Sequence, residues 1–360
     1  MQVIQYLKEF GIQSLREEFG IKVRETDDLL VLNYDQIESP KTHPIVIECR
    51  ALILDRDFNI VSRSFDRFFN LGEAPLTQTH LDWSIAGAHE KVDGSLMKVY
   101  NHRGYWYIAT RGMAYAEGAT EFGVTFKQLA LKAFGLGSDA EMQVVFNKYL
   151  QRDRTYIFEL TSMENRVVKH YEGYMMHYLA TRVNATGEYG GSAEEVQAQM
   201  VGGKYIEKLK FASAQDCLEA SRALKNLDEG YVIYQNGIPV CKVKSPAYLA
   251  VHAIRGEGLN PKRIMQLVLV NEQDEYLSYY PEDETYFLPY VAAMEELVSE
   301  IKFHAKLTKD IEDQGQFAKA IKGLPFSAPL FKARLTGESA IREFHNQREA
   351  YKMKTLEAYL

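Results

Sequence analysis

EGYVIYQNGIPVCKVKS, residues 229–245, is the stretch that decides the fold. Its two halves alternate apolar and polar residues around Asn236-Gly237, and Asn-Gly between alternating runs is the strongest short-range signal for a β-hairpin. On the second strand, Lys242 and Lys244 would share one face, with Val243 on the other. The stretch therefore predicts two antiparallel strands, the second of which ends in a pair of lysines.

Two more stretches have the same form. Residues 45–65 alternate around a polar turn at 55–59, and residues 95–112 repeat the pattern across a second turn. Helical stretches are interspersed, at 194–203 and 215–224. We predict an α+β fold with antiparallel sheets over residues 1–255.

The pattern changes beyond about residue 255. Apolar residues recur at helical spacing in 291–301 and 341–351, and clear strand alternation disappears. We predict a smaller, all-helical domain at 256–360, with an acidic loop at 272–284.

Composition limits the possible functions. The chain has 360 residues, 46% hydrophobic, and no apolar run approaches the roughly 20 residues that span a bilayer. The net charge of −7 gives no support to nonspecific nucleic-acid binding, so any such contact must come from a local basic site. The three cysteines form no C-x-x-C pair, which argues against a disulfide framework or a zinc site. We expect a cytoplasmic protein.

HEKVDGSLMK, residues 89–98, places Lys91 two residues before Asp93-Gly94. K-x-D-G arises by chance in roughly one in ten chains of this length, so a solvated turn is one interpretation. The other is a lysine at the rim of a nucleotide pocket. Lys242-Val243-Lys244 likewise fits either a charged edge strand or two cations that face a polyphosphate.

Two carboxylates add to the second interpretation. Glu159 lies inside the apolar run 156–160, where a carboxylate is costly to bury unless it is paired, perhaps with Arg166, or bound to a cation. Glu229 stands just before the first strand of the 229–245 hairpin. With Lys91 and the K-x-K strand, these are the parts of a nucleotidyl-transfer site.

Such a site makes chemical demands on Lys91. A lysine attacks phosphorus only when neutral, so its pKa must fall from about 10.4. Lys242 and Lys244 would lower it by like-charge repulsion and would neutralise a triphosphate as pyrophosphate leaves. Magnesium, held by carboxylates directly or through water, would orient the phosphates.

In their order along the chain, four motifs resemble those of the covalent ligase and capping-enzyme superfamily: EKVDGSL, IFEL, DEGYVIY and CKVKS. Further blocks resemble the phage-type RNA ligase 1 family of tRNA-repair ligases: IECRALIL, SRSFDRFFNLGE, FELTSMENRVV and KSPAYLAVH. The resemblance covers roughly residues 30–255. It implies an antiparallel-sheet nucleotidyltransferase domain of the ATP-grasp-like ligase type, followed by a helical domain that selects the RNA.

The resemblance implies a role for each matched residue. Lys91 would become adenylylated, with Lys242 and Lys244 as the catalytic phosphate-binding pair. The residues implied to bind ATP are Glu90, Asp93, Gly94, Arg50, Arg67, Arg111, Glu159, Glu229, Val232, Lys242 and Lys244. The implied metal ligands are Asp93, Glu159 and Glu229, and Arg111 and Tyr248 would approach RNA.

Three positions depart from the family pattern. Arg67 and Arg111 stand where the family pattern has lysines, which keeps the charge but replaces a point charge with a planar fork. Leu32 stands where the family pattern has a tyrosine.

The activity implied is ATP-dependent RNA ligation. It would join a 5′-phosphate end to a 3′-hydroxyl end, possibly in a nicked tRNA, with ATP and Mg²⁺ (or Mn²⁺) as cofactors. We expect a monomer without membrane contacts, in the host cytoplasm if a phage encodes it. The alternatives are a DNA ligase, a capping-type nucleotidyltransferase, or a noncatalytic protein that binds RNA ends.

Overall fold

The structure, a computed structural model, describes residues 1–36, 38–73, 81–120, 122–164, 171–224, 228–245, 260–277 and 283–360. The chain divides into two compact units, Met1–His252 and Ala253–Leu360. The residues around the predicted boundary at 255 lie outside the described ranges.

The first unit combines strands and helices. Its strands are β1 Ile21–Glu25, β2 Leu29–Tyr34, β3 Arg50–Asp55, β4 Ile60–Ser62, β5 Phe69–Asn70, β6 Ala86–Glu90, β7 Ser95–His102, β8 Tyr105–Thr110, β9 Arg154–Thr161, β10 Met175–Val183, β11 Lys208–Leu209, β12 Gly230–Gln235 and β13 Ile238–Lys244. Its helices are α1 Gln2–Phe19, α2 Pro44–Glu48, α3 Phe126–Phe134, α4 Asp139–Tyr149, α5 Ser192–Met200 and α6 Ala214–Arg222.

These strands form three sheets, in the orders β1-β2-β3-β4, β10-β9-β7-β8 and β11-β6-β12-β13-β5. Neighbouring strands pair antiparallel except β13 and β5, which are parallel. The predicted α+β class with antiparallel sheets is therefore confirmed.

The 229–245 hairpin is confirmed as β12 and β13. Asn236 and Gly237 both have positive φ, 53° and 75°, which is the backbone of the type I′ turn that Asn-Gly favours. Val232 lies opposite Lys242, and Gly230 lies opposite Lys244. The register thus fixes where the two lysines point.

The strand predicted from residue 45 is wrong over its first residues. Pro44 occupies the start of helix α2, and the His43 side chain accepts a hydrogen bond from the Ile45 N–H at 3.3 Å. Pro at the first helical position is preorganised for a helix because its φ is fixed. The strand begins only at Arg50.

Two main cores hold the first unit together. Helix α1, which the sequence analysis did not predict, packs Val3, Leu7 and Leu15 into the core of the first sheet. Helices α3 and α4 cover the second sheet, where Trp106, Phe146 and neighbouring side chains are buried. The predicted helices at 194–203 and 215–224 correspond to α5 and α6.

The regular secondary structure in the described residues of the second unit is all helical, as predicted. Its helices are α7 Pro261–Leu269, α8 Gln273–Leu277, α9 Glu284–Leu307, α10 Gln314–Ala320, α11 Ser327–Thr336, α12 Ala340–His345 and α13 Glu349–Glu357. Part of the predicted acidic loop is therefore helix α8; residues 278–282 lie outside the described ranges. Within the described residues, no helix combines the length and the apolar character needed to cross a membrane.

Candidate active site

A cavity of about 430 Å³ in the first unit is lined by residues from all three sheets. Ten of the residues singled out from the sequence line it together. They are Arg50, Glu90, Lys91, Gly94, Arg111, Glu159, Glu229, Val232, Lys242 and Lys244.

Lys91 directly follows the last residue of β6 and lies beside the start of the hairpin. Its backbone N–H donates to the Gly230 carbonyl oxygen at 2.8 Å. Its Nζ lies 2.5 Å from Oε1 of Glu229, and Lys244 Nζ lies 3.9 Å from the same oxygen. Glu229 is buried. One buried carboxylate therefore brings Lys91 and the end of the K-x-K strand together.

Two glycines make this close packing possible. A Cβ on Gly94 would lie 2.3 Å from the Leu160 carbonyl oxygen, and one on Gly230 would lie 1.9 Å from that of Val243. Gly230 also has a φ of +140°, which residues with a side chain rarely adopt. The D-G and E-G pairs in the sequence thus mark places where two backbones approach closely.

Glu159 projects into the cavity from β9. Burial raises the pKa of Glu159 to about 8; Lys91 opposes this rise and Glu229 adds to it. A carboxyl group in such surroundings gains stability from a further cation. Arg166, its alternative partner from the sequence, lies outside the described residues.

Asp93 does not line the cavity, although its neighbours Val92 and Gly94 do. It is buried, and its backbone N–H donates to the Tyr171 hydroxyl at 3.2 Å. Within the described ranges, no three His, Cys, Asp or Glu side chains are grouped to hold a metal ion. Of the three implied metal ligands, Glu159 and Glu229 line the cavity, which suits Mg²⁺ because this ion often takes one or two carboxylates plus substrate phosphates.

Arg50 supplies positive charge from the first sheet. Its Cζ lies 4.8 Å from the centre of the Phe68 ring, and Lys242 Nζ lies 5.1 Å from the same ring. Burial lowers the pKa of Arg50. Its Nε and Nη1 are buried and have no hydrogen-bond partner among the described residues. Unpaired guanidinium donors at a cavity are suited to an anion such as a phosphate.

An aromatic residue stands close to Leu32, the position where the family pattern has a tyrosine. Leu32 is fully buried in the core of the first sheet. The aromatic ring stands two residues later: Tyr34 has the Cζ atoms of Arg67 and Arg111 at 4.2 and 4.8 Å from its ring centre. Burial would raise the pKa of Tyr34, but Arg50, Arg111 and Arg67 outweigh it and lower the pKa. Arg67 is buried and does not line the cavity itself.

Sequence reasoning missed an aromatic part of the cavity. His89 and Tyr234 both line it and stack, with ring centres 4.2 Å apart. Burial, and then the charge of Lys208, lowers the pKa of His89 to about 4, so its imidazole is neutral at neutral pH. Leu179 and Val232 also line the cavity. Tyr248, predicted to approach RNA, lies outside the described residues.

Comparison with known proteins finds RNA ligases among the relatives of this chain. The chain is 36% identical over 351 residues to a protein of Autographa californica nuclear polyhedrosis virus named "Putative bifunctional polynucleotide kinase/RNA ligase", covering 93% of this chain and 49% of that protein. The chain thus spans about half the length of this viral relative. It is 26% identical over 342 residues to an RNA ligase of Rhodothermus phage RM378, covering 77% of this chain and 75% of the phage protein.

One similar solved structure is an archaeal ATP-dependent RNA ligase, at 13% identity and a TM-score of 0.48, covering 96% of this chain and 81% of that one.

The family model described as RNA ligase matches residues 48–248. The matched range includes every residue that lines the cavity and excludes the described helices of the second unit. The chain belongs to the phage RNA ligase 1 family.

Proposed function

We propose that the chain is an ATP-dependent RNA ligase that carries AMP on Lys91. The observation that supports this best is the shared carboxylate: Glu229 Oε1 lies 2.5 Å from Lys91 Nζ and 3.9 Å from Lys244 Nζ, at the wall of one cavity. A nucleophile and a phosphate-binding cation are thereby held side by side.

In the first step, Nζ of Lys91 attacks the α-phosphorus of ATP. A nitrogen–phosphorus bond forms, the bond to the bridging oxygen breaks, and pyrophosphate leaves. Glu229 is within hydrogen-bonding distance of Nζ and can accept its proton. Lys242, Lys244 and Arg50 surround the charge that develops on the phosphates.

The second and third steps use the stored AMP. A 5′-phosphate oxygen of the RNA attacks the phosphorus of the lysyl-AMP, the nitrogen–phosphorus bond breaks, and Lys91 leaves as an amine that takes back the proton held by Glu229. A 3′-hydroxyl then attacks the 5′-phosphate, the strand is sealed and AMP departs. Covalent storage divides one difficult transfer into easier ones.

Two regions of the cavity would hold the nucleotide. His89, Tyr234 and Val232 form an apolar surface suited to the adenine ring, with Glu90 at its edge to read the amino group. The cationic side chains suit the triphosphate tail, with Arg50 and Arg111 at the cavity and Arg67 behind Tyr34.

Mg²⁺, or Mn²⁺, fits the carboxylates at the cavity. Glu159 and Glu229 would hold it together with phosphate oxygens, and Asp93 would act from behind them. When bound, the ion would neutralise negative charge on the phosphates.

Labelling with ATP tests the proposal. The purified protein, incubated with Mg²⁺ and ATP labelled at the α-phosphate, should retain label after denaturation. Lys91→Ala should retain none. Lys148→Ala, which removes an exposed lysine of α4, is the matched control and should be labelled like the original protein. Label that persists in Lys91→Ala would remove the proposed nucleophile.

Assays with different nucleotides and nucleic-acid ends distinguish an RNA ligase from the alternative functions. Labelling by GTP instead of ATP would indicate a capping-type enzyme, and sealing of DNA ends in preference to RNA ends would indicate a DNA ligase. RNA binding in a gel shift with no AMP transfer would indicate a noncatalytic end-binding protein.

We also propose that the helical unit selects a structured RNA such as a nicked tRNA, and that the protein works as a cytoplasmic monomer. The full chain should then seal a nicked tRNA faster than an unstructured oligonucleotide with the same ends. Equal rates would contradict selection by structure, and light scattering at the mass of a dimer would contradict the monomer.

A further inference from the structure

The pairing of β2 with β3 is interrupted beside Arg50. Leu32 lies opposite Leu52, but Asn33 lies opposite Arg50, so Ala51 has no partner in the ladder. Ala51 has a φ of 55° and is fully buried. This is a β-bulge, and bulges often redirect a side chain next to a functional site.

Side chains hold the bulge where the ladder is lost. The Ala51 N–H donates to Oδ1 of Asn33 at 2.8 Å. The Ala51 carbonyl oxygen accepts a hydrogen bond from Nζ of Lys98. Both backbone polar groups of the bulged residue are therefore satisfied by side chains. The left-handed conformation, uncommon for an alanine, is fixed from both sides.

Asn33 extends the same network to a second arginine. Its Nδ2 donates to the Arg111 carbonyl oxygen at 2.7 Å. Arg50 and Arg111 both line the cavity, one next to the bulge and one just after β8. A single amide side chain thus connects the backbones that carry the two cations.

Lys98 is an unusual residue for this place. It lies on β7, between Ala109 of β8 and Ile157 of β9, and its side chain is fully buried. Burial lowers the pKa of Lys98 to about 7. A methionine would fill similar space at less desolvation cost. The position keeps a nitrogen whose hydrogen bond goes to the bulge beside Arg50.

We propose that Lys98 and Asn33 are positioning residues, which hold the bulge at Ala51 so that Arg50 and Arg111 meet the triphosphate tail of the nucleotide. The inference rests on the proposed ligase function. It adds that transfer of AMP from ATP to Lys91 depends on this network, whereas sealing of the RNA does not. Pyrophosphate leaves once the lysyl-AMP has formed, so the later steps have no triphosphate for these arginines to orient.

The test compares two half-reactions of the full chain. One is self-adenylylation as a function of ATP concentration; the other is joining of RNA that already carries a 5′-adenylate. In Lys98→Met, the KM for ATP should rise about tenfold, equivalent to about 1.4 kcal/mol. Joining of the pre-adenylylated RNA should stay within about twofold of the original rate. Lys148→Met is the matched control and should change neither.

Two results would overturn the inference. In a folded Lys98→Met protein, one is an unchanged KM for ATP, and the other is an equal loss in both half-reactions, which a purely structural role would give. If Lys98→Met does not fold, Asn33→Ala decides by the same criteria, since Asn33 is only partly buried. A distinct outcome is that the original protein neither adenylylates itself nor joins the pre-adenylylated RNA. In that case the ligase proposal itself fails.

Discussion

The cavity has two sides that are built in different ways. On the hairpin side, formed by β6, β12 and β13, strand pairing sets the positions: Val232 lies opposite both His89 and Lys242. On the arginine side, formed by the bulge in β3 and the end of β8, side-chain hydrogen bonds replace the ladder. The hairpin side should therefore tolerate changes of side chain but not of backbone. On the arginine side, removal of a single hydrogen-bonding side chain should be enough to displace the arginines.

The largest expected effect concerns the backbone of the hairpin side. Gly230→Ala would place a Cβ 1.9 Å from the Val243 carbonyl oxygen at a φ of +140°. We expect a loss of about 3 kcal/mol in the free energy of unfolding, because the strands must separate to admit it. Self-adenylylation should fall with it. Denaturant unfolding measures the first and ATP labelling the second.

Gly112→Ala is the matched control for this change. Gly112 is exposed at the cavity rim, and an added Cβ would meet nothing within 4 Å. Its free energy of unfolding should change by no more than about 0.5 kcal/mol. Equal losses in the two variants would contradict the idea that close approach at Gly230 holds the hairpin side together.

On the arginine side, Lys98 should make a smaller contribution to the free energy of unfolding, and this contribution should depend on pH. The pKa of Lys98 falls from 10.5 to about 7 on burial. Between these values the unfolded chain holds a proton that the folded chain has released, so the free energy of unfolding should rise with pH. Relative to Lys98→Met, which cannot titrate, the original protein should gain about 1 to 2 kcal/mol between about pH 7 and pH 9. A flat or falling difference would mean that Lys98 stays charged when folded.

The smallest effect should come from the ring between the arginines. Tyr34→Leu removes the surface on which Arg67 and Arg111 lie, which we expect to cost about 1 kcal/mol and to raise the KM for ATP about fivefold. Tyr34→Phe keeps the ring and should stay within about twofold. If both variants lose equally, the hydroxyl rather than the ring face is what matters.

The same division explains what the sequence could predict. The Asn236-Gly237 turn and the alternation around it are local, so the hairpin and the direction of its lysines follow from residues 229–245 alone. Helices α5 and α6 and the helical second unit also follow from local periodicity. For Lys91, Glu229 and Lys244, the family motifs supplied what local pattern could not, namely that distant segments meet.

The bulge could not be predicted in this way. Its polar groups are satisfied by Asn33 and by Lys98, and Lys98 lies 47 residues further along the chain. In Met97-Lys98-Val99, alternation places Lys98 on what resembles a solvent face. That face of β7 instead packs on the first sheet, where Tyr100 meets Val31 and Ile53. Tyr34 was also not singled out from the sequence, because the family pattern placed the expected tyrosine at Leu32, two residues earlier.

The ion pair at Glu229 has a consequence for the order of events in the proposed reaction. Once AMP is attached to Lys91, that nitrogen no longer carries a positive charge, and Lys244, whose Nζ lies 3.9 Å from Oε1 of Glu229, remains as the cation beside this carboxylate. The cavity is therefore more electropositive before AMP is attached to Lys91 than afterwards. This difference favours binding of the triphosphate before AMP transfer and weakens the binding of pyrophosphate after it.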